Sequence, residues 1–412
     1  MASRLNGIIV LLVVIVLTAG KVSASGFAIF AQGARALALA GAFVAGASDP
    51  SAIFYNPAGI SNLTGTRIQI GSAFLINRSF LDQNAIVFQP PSVSEMENAY
   101  IFSPSVFLTS RLTPRLTAGI GIYRPFGYSA EWNWNANNPT ASRVAQETNL
   151  RTLSVNPVVS YQVSDVMSLA AGFRFVSGSF EFIRDDNTLI NTDISGSGSG
   201  FNAGVQFSPV DNITLGFTYK SEVSLSLDGN TSEVPGSPGS GLRQPSPVNT
   251  ELKLPQSIAV GINWITETQV VLEFDAIWFG WSSIDRLDLS PASSSYTNNI
   301  IDFQFEDKIQ YRIGFEYNAA NILTFRTGVL ISSSPVKDSA VHPAFPDTDT
   351  EAASLGVGWT NSDGNLTIDF AYMHVFKNEK FGPVTNGPDI FFGGRYENNS
   401  DGVLLSVNYI IF

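Results

Sequence analysis

The odd positions Ile213, Leu215, Phe217, Tyr219, Val223, Leu225 and Leu227 are apolar, and Thr214, Thr218, Lys220, Glu222, Ser224 and Ser226 among them are polar. A period of two gives a strand one apolar and one polar face. The same alternation returns at Ile309–Tyr317, Leu323–Ile331 and Leu366–Tyr372. These runs reach about ten residues, the length of a tilted strand that crosses a bilayer, whereas soluble strands average about five or six. Arg174, Lys220, Glu222, Glu273, Asp275, Arg312, Glu316, Arg326 and Asp369 fall on the polar phase. Charges of both signs there predict a hydrated or hydrogen-bonded lumen, with the apolar phase facing lipid. Trp264, Trp278, Trp281, Trp359 and Tyr409 are candidates for interfacial aromatic girdles.

The pattern predicts about fourteen strands, near 66–80, 98–111, 114–124, 148–163, 166–183, 200–208, 212–227, 250–264, 268–279, 303–318, 321–332, 351–361, 364–377 and 401–412. Short turns such as Thr113-Pro114, Ser164-Asp165 and Ser362-Asp363-Gly364 alternate with long connections such as 126–148, 228–249, 280–301, 333–350 and 378–400. That alternation is what a barrel with tight periplasmic turns and long external loops requires. The fold class is therefore all-β: a transmembrane antiparallel β-barrel. The Gly196-Ser197-Gly198-Ser199-Gly200 run has no helix after it and reads as a flexible join, not a nucleotide loop.

Before the strands lies a different kind of sequence. Arg4 and an apolar run from Ile8 to Leu17, followed by the small residues of Val22-Ser23-Ala24, predict a signal peptide over 1–24. Residues 25–64 are almost free of charge and rich in Gly and Ala, and they are expected to form a hatch inside the barrel of residues 65–412. The 412-residue chain carries a net charge of −12 and only 14 % charged residues, so nucleic acid is not an expected partner. There is no cysteine, which removes disulfides and thiol chemistry.

Catalytic chemistry has little to stand on. The two histidines are His342, in a Pro-rich loop, and His374, on the outward phase of a strand near a barrel end. Neither has a Ser and an acid at a recognisable spacing. Asp347 and Asp349 lack the ligand series of a calcium loop and read as a solvated acidic loop. No enzyme, cofactor or metal is expected.

Several stretches together resemble the FadL/TodX family of outer-membrane transporters of hydrophobic compounds. They are Ser25-Gly26-Phe27, Asn56-Pro57-Ala58, Pro125-Phe126-Gly127-Tyr128, Lys220-Ser221-Glu222-Val223, Leu254-Pro255, Trp278-Phe279-Gly280-Trp281-Ser282, Phe325-Arg326-Thr327-Gly328 and Ser334-Pro335-Val336. The resemblance implies a fourteen-stranded barrel in the outer membrane of a Gram-negative cell, blocked by an N-terminal hatch whose motif is Asn56, Pro57 and Ala58. It implies passive transport: capture of a hydrophobic small molecule by the loop bearing Phe126, Tyr128, Trp132 and Trp134, then transfer to a pocket at Phe27, Ile29 and Phe30. Release sideways into the bilayer would use a kink at Gly119, Gly121 and Pro125. Glycine relaxes a ladder and proline interrupts one, although close packing against the hatch also explains the glycines. Arg174 or Arg326 would meet a carboxylate, because the hatch itself carries Arg35 alone. The expected ligand is a long-chain fatty acid, with aromatic hydrocarbons as the alternative and a general porin or a surface adhesin as rivals. Expected partners are outer-membrane lipid, lipopolysaccharide and the barrel-assembly machinery, for a monomeric protein.

Overall fold

A computed structural model describes residues 26–411 except 83–92, 98, 134–144, 238, 242, 269, 321 and 383–393. The strands are β1 (Thr66–Asp82), β2 (Val93–Met96), β3 (Ala99–Thr113), β4 (Leu116–Tyr123), β5 (Gly127–Asn133), β6 (Glu147–Ser164) and β7 (Met167–Asp185). They continue as β8 (Leu189–Val210), β9 (Ile213–Lys220), β10 (Val223–Glu233), β11 (Ser246–Leu254), β12 (Ser257–Ile265) and β13 (Val270–Phe279). A small hairpin of β14 (Arg286–Asp288) and β15 (Ile300–Asp302) precedes β16 (Lys308–Ala320), β17 (Leu323–Ser332), β18 (Thr350–Thr360), β19 (Leu366–Gly382) and β20 (Gly394–Ile410). β4 with β5, β9 with β10, and β11 with β12 each form one interrupted stave. Counted so, and with the short β2 left out, the wall has fourteen antiparallel staves, and β1 pairs with both β3 and β20 to close it. No described helix is long and apolar enough to cross a membrane, and the staves do the crossing.

The wall changes character along its height. On the turn side, outward positions such as Leu169, Phe173, Phe175, Leu215, Phe217, Phe315 and Phe370 are apolar and exposed. Their inward neighbours Arg174, Glu273, Asp275, Arg312, Glu316, Arg326 and Asp369 are buried, which matches the predicted polar lumen. On the long-loop side the chemistry inverts. Ser177, Ser195, Ser197, Ser224 and Ser226 face outward, while Val176, Phe180, Ile194, Leu225 and Leu227 are buried inside. The outward apolar belt therefore stops near Phe175 and Phe201, and the staves continue above it as a water-facing extension with an apolar interior.

Two expectations are corrected by this inversion. Ile213 to Leu227 is not one strand with a constant lipid face. Asn202 pairs with Lys220 but Ser197 with Ser226, so five steps on β8 oppose six on the other stave. The extra residue at Ser221–Glu222 turns Val223, Leu225 and Leu227 inward and leaves Glu222 facing Lys253 at 3.8 Å. The Gly196–Gly200 run is likewise no flexible join but the middle of β8. Its glycines point inward where β10 crosses closely: a Cβ on Gly196 would stand 1.7 Å from the Ser226 carbonyl oxygen.

Residues 26–63 lie inside the wall. This inner segment holds α1 (Ala34–Ala38), α2 (Ala52–Tyr55) and a 3-10 turn at Pro57–Asn62. Its small side chains let backbone meet backbone: a Cβ on Gly328 would fall 2.3 Å from the Leu39 carbonyl carbon. Asn56 explains its own place in the sequence. Its side-chain amide donates to the Val44 and Val205 carbonyls at 2.8 and 3.0 Å, and its Oδ1 accepts from the Ala58 N–H at 3.2 Å. Pro57 then starts the turn where no N–H is needed. Four consecutive amides, of Phe43 to Gly46, donate to Asp275 and Glu273 at 2.7–3.0 Å. Arg35 bonds Glu316 at 3.0 Å, and Arg326 bonds Glu316 and Asp369 at 2.6 and 2.7 Å. The wall's charges are thus largely spent on holding the inner segment.

Candidate functional site: the lumen above the inner segment

The first residues of the inner segment are built into the wall. β4 ends at Tyr123, Pro125 follows, and the chain reaches β5 only at Gly127. Ile29 N–H donates to the Pro125 carbonyl at 2.9 Å and Gly127 N–H to the Phe27 carbonyl at 3.0 Å, so residues 27–29 pair with the interrupted stave. On the other side, pairing between β3 and β4 runs up only to Val106 with Ile122. Above it, side chains span the space. Gln32 donates to the Arg124 carbonyl at 2.6 Å, and Arg124 donates to the Phe102 carbonyl. Pro104 withholds a further backbone donor from β3 at this level.

Over this break sits an aromatic cap. Phe27 contacts Trp281 edge-on at a centroid distance of 5.1 Å, and Phe126 and Phe345 each at 5.9 Å. Phe303, Phe305 and Phe180 extend the cluster. Tyr128 packs on Phe345 at 4.9 Å, and Trp132 Nε1 donates to the Pro343 carbonyl at 2.8 Å. Trp281, expected in a lipid girdle, is instead 1 % exposed in this cap, because the chain turns inward after Gly280. Trp359 and Tyr409 do face outward, at 42 % and 43 % exposure.

Beneath the cap lie two cavities. The upper, of about 140 Å³, is bounded by Phe27, Phe30, Tyr128, Asp347 and Met373. Burial lifts the Asp347 carboxyl to about 7, against the pull of a hydrogen bond from Ser334 at 2.9 Å and the charge of Lys380. In the same loop, burial lowers the His342 imidazole to about 4. The lower cavity, of about 50 Å³, is walled by Ile29, Phe30, Phe126, Ile277 and Phe279 together with Arg174, Lys220 and Arg312. No carboxylate among the described residues lines it. Lys220 Nζ lies 3.7 Å from the centre of the Phe54 ring, and the Arg312 guanidinium 4.6 Å from that of Phe30. Arg312 donates to the Gly41 carbonyl at 3.0 Å and to Gln310 at 2.8 Å, and Arg174 donates to the Ser221 carbonyl. The Nε of both arginines is buried without a hydrogen-bond partner among the described residues.

The structure thus brings together Phe27, Ile29, Phe30, Phe126, Tyr128, Trp132 and Arg174. Trp134 lies outside the described residues. Arg326 stands apart, tied to Glu316 and Asp369 and lining neither cavity. Gly119 and Gly121 lie in β4 against Ile53, where added Cβ atoms would come within 2.8 and 3.0 Å of that side chain. The break itself falls at Pro125. Sequence reasoning missed Lys220 and Arg312 as cavity residues, although both were on the predicted inward phase. It also missed Trp281 and Phe345, whose loops carry no strand periodicity, and it placed Phe303 and Phe305 at the start of a strand over 303–318 that in fact begins at Lys308, leaving both rings in the cap.

Comparison with known proteins agrees with this architecture. Residues 15–410 match the family model for outer membrane protein transport proteins, OMPP1/FadL/TodX. The chain is 23 % identical to the long-chain fatty acid transport protein of Escherichia coli K12, over 66 % of this chain and 70 % of that one. It is 22 % identical to a putative outer membrane protein of Neisseria meningitidis over 97 % of both chains. A Pseudomonas aeruginosa FadL homologue superposes with a TM-score of 0.80 at 22 % identity, covering 94 % of this chain and 100 % of that one. The Pseudomonas putida toluene transporter TodX gives 0.71 at 14 % identity, covering 95 % and 99 %. The chain belongs to the OMPP1/FadL/TodX family and is an outer-membrane transport protein, not an enzyme.

Proposed function

We propose that the protein is a passive channel for long-chain fatty acids, with the inner segment as its hatch and the lower cavity as the seat of the carboxylate. One observation carries this reading: three cations, Arg174, Lys220 and Arg312, border an apolar cavity that no carboxylate among the described residues lines. Arg312 has Asp275 opposite it on the neighbouring strand, but Arg174 and Lys220 have no carboxylate partner among the described residues. A buried charge without a counter-charge costs several kcal/mol, and a ligand carboxylate offsets that cost while its chain lies along Ile29, Phe30 and Phe126. A neutral hydrocarbon leaves the cations as they are.

A water needs about 10–15 Å³ of such space, so the lower cavity of about 50 Å³ holds a headgroup and not an acyl chain. The chain must displace the aromatic cap, and Phe27 links the two events. It is part of the cap, and two residues later the backbone is bonded to the interrupted stave at Pro125. Pulling Phe27 out of the cap therefore strains the pairing at the break, and the space between β3 and β5 is the sideways exit. Leaving there spares an oily ligand the charged lumen below.

Calorimetry of the detergent-solubilised protein with oleate and with oleyl alcohol tests the headgroup assignment. Oleate is expected to bind at least tenfold more tightly, about 1.4 kcal/mol, and Lys220→Met to erase the difference. Equal affinities for the two ligands in the unaltered protein would refute it and favour an aromatic or aliphatic hydrocarbon as cargo.

A further inference from the structure

Arg124, whose side chain also spans the break, and Arg151 meet at a surface outside both cavities. Both border a recess of about 580 Å³ on the outer surface of the wall, with Leu153, Ser177, Ser179, Ser195 and Ser197. Arg151 is outward and exposed, and it has no hydrogen bond or ion pair among the described residues. Arg124 donates to the Phe102 carbonyl and is close enough to Arg151 for the two charges to act on each other. The carboxylate whose field reaches Arg151 is Glu147, further up β6, and it is engaged by the Asn149 amide at 2.6 Å.

Depth gives this patch its meaning. Leu153 lies directly below Arg151 on the same face of β6, Phe175 lies below Ser177 on β7, and Phe201 lies below Ser197 on β8. Those side chains are the upper edge of the lipid-facing belt. The recess therefore stands just above the hydrocarbon, at the level of lipid headgroups. Other outward cations near this height are neutralised by the protein: Arg78 by Asp401 at 2.6 Å, Arg395 by Asp82 at 2.9 Å and Lys253 by Glu222 at 3.8 Å. Neither Arg124 nor Arg151 makes an ion pair among the described residues, and serine hydroxyls stand beside them to complete a phosphate's hydrogen bonds.

We infer that this recess docks a phosphate of the lipid A headgroup of lipopolysaccharide, fixing one lipid molecule beside the break at Pro125. The inference rests on the outer-membrane assignment and not on the identity of the transported ligand.

The test is a titration of the purified full-length mature protein, read by native mass spectrometry, with bisphosphorylated lipid A, its dephosphorylated form and inorganic phosphate. Bisphosphorylated lipid A is expected to bind at least tenfold more tightly than the dephosphorylated form. The Arg124→Ala/Arg151→Ala double variant is expected to lose that preference, and Arg115→Ala, at a turn on the opposite end, to keep it. Arg151→Gln alters an exposed side chain alone, so it reports the same loss in part should the double variant fail to assemble. Equal binding of both lipid forms, an Arg151→Gln protein with unchanged preference, or millimolar phosphate displacing the lipid from unaltered and variant protein alike would each overturn the inference.

Discussion

The two halves of the barrel solve opposite problems with the same stave geometry. Toward the turns, the outside is oil and the inside is a charged frame. Glu316 there accepts from both Arg35 and Arg326, and Asp275 and Glu273 take up four inner-segment amides. Toward the long loops, the outside is serine and the inside is Phe, Leu and Trp. The lower half fixes the inner segment by directional bonds that are expensive to break. The upper half closes over it by apolar packing that a hydrophobic ligand can replace contact for contact. In the function proposed above, the gate for oily molecules is made of the second kind of material and the stop in the lumen of the first.

The largest effect is expected from breaking the charged frame. Glu316→Ala leaves two arginines short of their shared partner and should cost about 3–5 kcal/mol, read as a lower midpoint of thermal unfolding with steady ion conductance through a loosened hatch. A stable, silent variant would show that the frame does not hold the hatch. The boundary between the halves is sharpened by one substitution on each side of it. Phe217→Arg puts a charge in the lipid belt and should destabilise by about 2–4 kcal/mol, whereas Ser226→Arg, outward on the extension, should change stability by less than about 0.5 kcal/mol. Equal costs in a lipid-embedded unfolding assay would contradict the position of the belt. Within the cap, Phe27→Glu sets a carboxylate among Trp281, Phe126 and Phe345; oleate uptake should fall while assembly, followed by heat-modifiable gel mobility, is preserved.

The smallest effect concerns pH. Asp347 is held protonated up to about 7 in the closed cap against 3.8 when solvated, so the closed form binds the proton more tightly. Its contribution to closure is complete below pH 3.8 and is lost as pH rises through about 7. Spontaneous opening events in planar bilayers should become more frequent from pH 6 to pH 8, and Asp347→Asn should flatten that rise. An unchanged rise in the variant would assign the titration elsewhere.

Much of this was readable from the chain. Period-two alternation and the sequence of short and long connections are local, and they located the fourteen staves and the inward charges. What the sequence hid depends on neighbours far along the chain. Leu215 and Leu225 sit on the same parity and look alike, but the extra residue at Ser221 sends one to lipid and the other to the interior. Gly196 and Gly198 look like a flexible hinge until β10 is seen crossing above them. Arg326 and Arg174 are equally plausible carboxylate receptors on paper; Glu316 and Asp369, ten and forty-three residues from Arg326, occupy the first and leave the second at the cavity.

The central claim is that cations in the lower cavity select a carboxylate. Its most direct test is uptake of oleate and of toluene by a porin-deficient host expressing either the unaltered chain or Lys220→Met. Oleate uptake is predicted to fall on the order of tenfold, the equivalent of about 1.4 kcal/mol, with toluene entry unchanged. A fall in both, or in neither, would contradict it.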